Sequence, residues 1–334
     1  MEEVKRGMKI DRRSFLKTVS LCSCAYLFQP LAFGSNDQQN MLRFGLIADV
    51  HQDIMHDSPQ RITAFAAAMD EAKADFICQL GDFCIPLERN RDFFKCWEQF
   101  EGPRYHVLGN HDMDEGFTQD QAVAYYKMPG KHYAFDAKGV HFIVLNDNEP
   151  GGKSEGYKRY ISKEQLSWLS EILQQTQLPT IVFSHQALDA ASEIENCAEV
   201  RKTLEQAENK AGQKKVVACF CGHHHDDQLN EINGIKYVRI NSASYLGLGE
   251  KYKHESYSKE IHQKHPSIAY TAPYKDPLWA LVEIDLTKHT LTIKGKCTTW
   301  FGPSPWELGM DKKWMDPKVF VPRISDRAFS FWHK

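Results

Sequence analysis

The architecture this sequence predicts is an α/β fold, a four-layer α/β/β/α sandwich of two mixed β-sheets flanked by helices. Three observations point to it. Apolar runs of strand length alternate with stretches of helical period from Leu42 onward. An Asp, Asn or His follows five of the strand-like runs, in Asp49-Val50-His51, Gly81-Asp82, Gly109-Asn110-His111-Asp112, Ser184-His185 and Gly222-His223-His224-His225. Hairpin signals also interrupt the alternation, which adds antiparallel strands to parallel ones.

Leu42 to Ile47 reads as a buried strand, with Asp49 and His51 just past its C-terminal end. Residues 58–73 place Ile62, Phe65, Ala66 and Met69 on one helical face. Asp75 to Leu80 is a second strand and runs into Gly81-Asp82. A helix over Arg89 to Phe100 precedes a third strand, Tyr105 to Leu108, which leads into the Gly-Asn-His-Asp tetrapeptide. Repetition of strand, donor and helix implies a site at the carboxyl ends of the strands. His132 to Phe135 and Val140 to Leu145 form an antiparallel pair around the polar turn Asp136 to Gly139. Ser162 caps a helix, with Gln165 three residues on and Leu166, Leu169 and Leu173 on its apolar side. Thr180 to Phe183 ends at Ser184-His185, a polar helix covers Ser192 to Gln213, and Val216 to Cys221 leads into the histidine cluster. Asn233-Gly234 marks a hairpin between Gln228 to Ile232 and Ile235 to Ile240. Leu278 to Ile284 and Leu291 to Lys296 are the last strand pair, so the core domain spans 42–297.

Two segments lie outside that pattern. Residues 246–277 carry Lys251, Lys253, His254, Lys264 and His265 and read as a long loop beside the site, where substrate-binding groups are expected. The tail, 298–334, holds Trp300, Trp306, Trp314 and Trp332, and is expected to pack on the core or on a partner subunit.

A length of 334 residues, 42% hydrophobic and 25% charged, supports a full core. Lys+Arg 41 against Asp+Glu 44 leaves net charge −3, so no nucleic-acid platform is evident. The start of the chain is different in character. Arg12-Arg13-Ser14-Phe15-Leu16-Lys17 resembles the twin-arginine export motif, and an apolar stretch from Thr18 to Phe33 follows it. Gln29-Pro30 interrupt that stretch, which is shorter than the ~20 residues of a membrane span. Residues 1–34 are therefore expected to be a cleaved signal peptide ending before Ser35, with a lipid anchor at Cys24 as the alternative, and the protein to be periplasmic or in the cell envelope of a bacterium. The other cysteines show no Cys-x-x-Cys zinc spacing. Export permits one or two disulfides without selecting the partners. No residue pattern selects an oligomeric state.

Asp-x-His and Gly-Asp are common tripeptide-scale patterns, whereas Gly-Asn-His-Asp and Gly-His-x-His are more specific. All five in this order, each behind a strand, resemble the calcineurin-like metallophosphoesterase superfamily over residues 42–297. The resemblance implies that Asp49, His51 and His225 hold one metal ion, Asn110, His185 and His223 a second, and that Asp82 bridges them. Two divalent or trivalent ions follow, and imidazole with carboxylate suits Mn, Fe or Zn without choosing among them. In that family a metal-bridging hydroxide attacks phosphorus while the cations offset the developing charge. His111 resembles the proton donor to the leaving group, with Asp112 orienting its ring. His224 is left as a solvent-facing or supporting histidine. Gly81, Gly109 and Gly222 are expected where a side chain would obstruct the turns beside the metals.

Departures from known branches narrow the class. Ile85 stands where the purple acid phosphatases carry a tyrosine ligand, and Phe83-Cys84-Ile85-Pro86 replaces the Asp-Arg-Gly extension of the Ser/Thr protein phosphatases. What remains resembles the bacterial, exported, phosphodiesterase-like branch. The expected activity is hydrolysis of a small phosphomonoester or phosphodiester, a nucleotide among the candidates. The alternatives are a nucleotide pyrophosphatase acting on diphosphate conjugates and a non-catalytic scaffold that binds metal or phosphate.

Overall fold

The computed structural model describes residues 40–332, so the expected signal peptide and Cys24 lie outside the described residues. The strands in chain order are β1 (Met41–Ile47), β2 (Phe76–Gln79), β3 (Arg104–His106), β4 (Tyr133–Ala137), β5 (Val140–Val144), β6 (Thr180–Phe183), β7 (Val216–Cys221), β8 (Leu229–Ile232), β9 (Ile235–Arg239), β10 (Tyr245–Gly247), β11 (Thr271–Pro273), β12 (Ala280–Asp285), β13 (Thr290–Lys294) and β14 (Arg327–Ser330). The α-helices are α1 (Ser58–Glu71), α2 (Arg91–Trp97), α3 (Gln119–Tyr126), α4 (Lys163–Gln175), α5 (Cys197–Glu205) and α6 (Lys259–Lys264).

Two six-stranded sheets result, in the orders β14-β13-β12-β1-β2-β3 and β4-β5-β6-β7-β9-β8. β1, β2 and β3 run parallel, as do β5, β6, β7 and β9, while the outer strands are antiparallel. Both sheets are therefore mixed, as the combination of helical crossovers and hairpins requires. Their inner faces meet on phenylalanine. Phe44 of β1 faces Phe142, Phe183 and Phe220 of the second sheet with ring centroids 5.4, 6.0 and 6.4 Å apart.

The two-residue period of a strand sorts side chains between layers. Phe142 and Val144 join the core between the sheets, whereas Ile143 joins a separate cluster with Leu169, Leu173, Val200 and Leu204 of α4 and α5. Those two helices form the outer layer on the second sheet. α1 and α2 cover the first, where Phe65 stacks on Trp97 at 6.0 Å. Each buried Phe or Leu contributes about 1.5–3 kcal/mol of hydrophobic stabilisation. The strict alternation makes a one-residue register slip prohibitive.

Two expectations need correction. The polar helix expected over Ser192 to Gln213 is only Cys197–Glu205. Beyond it the Asn209 side chain accepts from the backbone N–H groups of Ala211 and Gln213, and Gly212 takes φ +73, so residues 209–213 form an Asx-type turn where helix was expected. The other correction concerns the sheet edge. The core does not stop at Cys297, because β14 from the tail pairs with β13. Asp227, just past the histidine cluster, holds the same tail: its carboxylate meets Arg323 Nε at 3.2 Å and Arg327 at 2.7 Å, and its N–H donates to the Val319 carbonyl. Trp300 packs on Tyr274 at 5.2 Å, whereas Trp314 is 86% exposed. Among the described residues no helix is long and apolar enough to cross a membrane, and the seven cysteines are unpaired.

Candidate metal centre

The carboxyl ends of five parallel strands converge where the two sheets meet. β1 delivers Asp49 and His51, β2 delivers Asp82, β3 delivers Asn110 and His111, β6 delivers His185, and β7 delivers His223 and His225. The loops are stitched together by backbone bonds, from Asp49 N–H to the Gly81 carbonyl (3.1 Å), His51 N–H to Asp82 (3.0 Å) and Gly222 N–H to His185 (3.0 Å).

The seven predicted ligands come together in two groups. Donor atoms of Asp49, His51 and His225 lie within 4.8 Å of one another, and so do those of Asp82, His185 and His223. Asn110 joins the second group, with Oδ1 3.1 Å from His185 Nε2. Asp82 Oδ2 stands between the groups, 3.2 Å from His185 Nε2 and 3.8 Å from His51 Nε2. The donor set fits a pair of cations. His185 and His225 each point Nδ1 at a carbonyl, of Leu80 and Tyr245, both at 2.8 Å, which leaves Nε2 of each ring facing inward. Asp49 and Asp82 are buried carboxylates amid imidazoles, an arrangement that calls for positive charge.

The electrostatics are those of a donor set without its cations: burial works against a charged His185, but the Asp82 and Asp49 carboxylates raise its pKa well above the ordinary value, so that ring holds a proton that a bound ion would displace. Burial works against both carboxylate charges, but the His225 contact holds Asp49 below its ordinary range, and His185 above all holds Asp82 well below it. Burial pushes His51 down to about 3 and His223 down to about 4, so both rings are neutral and can donate a lone pair. Five of the ligands, Asp49, His51, Asp82, His223 and His225, have φ between 51° and 69°. Left-handed backbone costs such residues of order 1–3 kcal/mol each, and it clusters where a fold holds a functional geometry under strain. Gly81 shares this backbone, with φ +98, but Gly109 and Gly222 are needed for space: a Cβ would lie 2.2 Å from Asp82 Oδ1 at Gly109 and 2.5 Å from Asp49 Oδ2 at Gly222.

His111 borders the same site, but Asp112 does not orient it. The buried Asp112 carboxylate accepts from the N–H groups of Phe83 and Gly109, both at 2.8 Å, and from the Tyr126 hydroxyl at 2.9 Å. It braces the loop. Asp114 is the partner of the imidazole, with Oδ2 2.7 Å from His111 Nδ1, and the Tyr157 hydroxyl lies 3.1 Å from that nitrogen. Burial would lower the His111 pKa, yet the Asp114 hydrogen bond and the Asp82 and Asp114 charges raise it. Asp114 was detectable in principle, being three residues on in a helical turn; Tyr157 carries no sequence signal.

Other supporting groups also went unread. Asp147 Oδ2 accepts from the His185 and Gln186 N–H groups at 2.7 Å, and Glu193 takes His224 Nε2 at 2.7 Å, which gives the supporting histidine its partner. The segment 246–277, expected to bind substrate, forms α6 and the β10–β11 pair and packs through Tyr257 on His56 at 4.5 Å. Lys251 and Lys253 lie over Tyr252 and Tyr270 of that same segment.

Two facing mixed sheets with donor groups sharing one carboxylate at their strand ends define a site of the two-metal hydrolase class. The chain belongs to the calcineurin-like phosphoesterase family, whose sequence profile matches residues 42–227. It is similar to a manganese-dependent ADP-ribose/CDP-alcohol diphosphatase from Oryza sativa subsp. japonica, 27% identical over 179 residues, 39% of this chain and 54% of that protein. The chain thus spans about half the length of this curated relative. Among solved structures, a dimetal phosphatase from Danio rerio superposes with TM-score 0.56 at 16% identity, over 78% of this chain and 99% of that one. GAP50, described as the anchor in the inner membrane complex of Plasmodium, superposes with TM-score 0.55 at 14% identity, over 88% and 90%. These superpositions establish the fold; the chemistry has to be argued from the side chains.

Proposed function

We propose that this chain is an exported hydrolase of small phosphate esters that works with two metal ions. The observation that carries the reading is the position of Asp82 Oδ2 between two sets of donors, 3.8 Å from His51 Nε2 and 3.2 Å from His185 Nε2. Asp49, His51 and His225 would hold one ion and Asn110, His185 and His223 the other, with Asp82 common to both. Bound there, the ions would supply the positive charge that acidifies a water and offsets charge on the phosphoryl oxygens. The donor set admits Mn, Fe or Zn, and the manganese-dependent relative supports Mn.

The chain itself handles the proton. Asp114 occupies His111 Nδ1, so Nε2 is the nitrogen that delivers a proton to the departing oxygen as its bond to phosphorus breaks. Asp112 keeps the loop rigid beneath that ring. The diphosphatase relative also supports a second reading within the class, in which the scissile bond lies in a diphosphate conjugate. A phosphoester panel that includes bis-p-nitrophenyl phosphate, p-nitrophenyl phosphate and ADP-ribose, run with metal content measured on the same sample, decides between these. Asp82→Asn is expected to lower turnover at least ~100-fold and to reduce bound metal. Metal-loaded wild type that hydrolyses nothing on the panel would leave a scaffold as the better account. Export is supported by the Arg12-Arg13 motif, and the mature N-terminus is expected at Ser35; an acylated Cys24 would replace cleavage there by a lipid anchor, and a chain starting at Met1 and recovered only from the cytoplasm would overturn export.

A further inference from the structure

Beside the metal centre, on the wall that Asn110 provides, lies a cavity of about 250 Å³ lined also by Met113, Phe117, Asn148, Tyr157 and Lys158. It is polar and apolar by turns, and three of its side chains are unusual. Asn110 is buried, and its Nδ2 has no hydrogen-bond partner among the described residues. The residue lines the cavity, and a small turn of its side chain would bring that unpaired amide to an acceptor seated there. Lys158 Nζ touches only the Ser154 carbonyl, at 3.3 Å, so among the described residues its charge has no counter-ion. Tyr157 is 48% exposed, yet its hydroxyl donates to Asp114 Oδ1 at 2.9 Å and its ring meets His111 edge-on at 4.9 Å. Tyr157 therefore belongs to the cavity by its ring and to the His111 assembly by its hydroxyl.

We propose that this cavity is the subsite for the leaving half of the substrate and that it takes a phosphorylated group, a nucleoside or sugar monophosphate. The inference rests on the hydrolase reading above and deepens it. Lys158 supplies the positive charge for the phosphoryl oxygens, and Phe117 and the Tyr157 ring cover the organic part. Small-molecule pockets start at about 300 Å³, so this one suits a single phosphorylated moiety and not a polymer. Asp114 and Tyr157 are positioning residues. Asp114 grips His111 with one oxygen and Tyr157 with the other, so a leaving group seated against Tyr157 meets an imidazole already aimed.

The experiment has two arms. In the first, the metal-free full chain is titrated calorimetrically with adenosine 5′-monophosphate, ribose 5-phosphate and inorganic phosphate. The two organic phosphates are expected to bind more tightly than inorganic phosphate. Lys158→Ala is expected to weaken them about five- to tenfold, with Lys202→Ala, an exposed position on α5, as the control that stays at wild type. In the second, the Mn-loaded chain is assayed on ADP-ribose and p-nitrophenyl phosphate. Lys158→Ala should raise KM for ADP-ribose more than for the aryl ester. Tyr157→Phe should lower kcat about tenfold on ADP-ribose, whose departing phosphate is seated in the cavity against the Tyr157–Asp114–His111 assembly, and less on the aryl ester, whose nitrophenyl group has no phosphate for Lys158 to hold there. Failure of the organic phosphates to bind wild type, an unchanged affinity in Lys158→Ala, or an equal effect of Tyr157→Phe on both substrates overturns the proposal. A wild type inactive on every ester but still losing nucleotide affinity in Lys158→Ala would refute the hydrolase reading and leave the subsite standing.

Discussion

Two glycines in one loop separate the roles of space and of backbone freedom. Gly109 has φ −93 and ψ 166, a conformation any residue adopts, but a Cβ there would sit 2.1 Å from Asp82 N and 2.2 Å from Asp82 Oδ1. Neither neighbour can stay. Asp82 has to move by about 1 Å to restore ordinary contact, because a packed interior leaves no slack. Gly109→Ala is therefore expected to cost ~1–3 kcal/mol of stability by overpacking. Moving the shared carboxylate should also weaken Mn binding ~10–100-fold, the range seen when ligand support is lost. Gly116 is the reverse case, with φ +84 and nothing within 4 Å of its hypothetical Cβ. Gly116→Ala should cost only the ~1–2 kcal/mol of left-handed backbone and leave metal affinity alone. Urea unfolding of the metal-free proteins reads the first quantity, and calorimetric titration with Mn reads the second. Equal metal affinity in Gly109→Ala and wild type, or equal loss in both variants, would refute the steric account.

The neighbouring aspartates should divide in the same way. Asp112→Asn removes one acceptor from a carboxylate serving three donors, which predicts about 1–3 kcal/mol of lost stability, whereas Asp114→Asn should lower kcat with little change in urea midpoint. Loss of kcat in Asp112→Asn at unchanged stability would return the orienting role to Asp112. Breaking the buried clasp between the histidine loop and the tail by Asp227→Ala should cost about 3–5 kcal/mol, and a loss under 1 kcal/mol in urea unfolding would show that the tail is dispensable. His106 gives a pH dependence away from the ligands. Burial, then Arg104, lowers its pKa to about 3 from an ordinary value near 6.5, so the unfolded chain binds its proton first and stability falls as pH drops from 6.5 toward 3. Between pH 6.5 and pH 5 that amounts to about 2 kcal/mol, and urea unfolding of His106→Gln at both pH values should lack it. Matching pH slopes in variant and wild type would exclude His106 as the source.

The layer assignment was legible in the chain itself, because the two-residue period of a strand and the 3.6-residue period of a helix are local properties. Phe142 and Ile143 point to different cores for that reason alone. The positions of the candidate donors were legible too, because each follows a strand at its carboxyl end. The spacing allowed either Asp112 or Asp114 as the partner of His111, and the fold chose Asp114. A 3-10 turn opens at Asn110 and breaks at Asp114, where ψ is 165, so Asp114 lies three residues on from His111 at the end of that turn while Asp112 points back into the loop. Tyr157, the β14 edge strand and the clasp on Asp227 belong to the same category, since each joins residues remote in the chain. So does the left-handed backbone of Asp49, His51, Asp82, His223 and His225, which no local preference favours in five places at once. Packing of two sheets supplies the free energy that holds it, and that free energy exists only once the tertiary structure has formed.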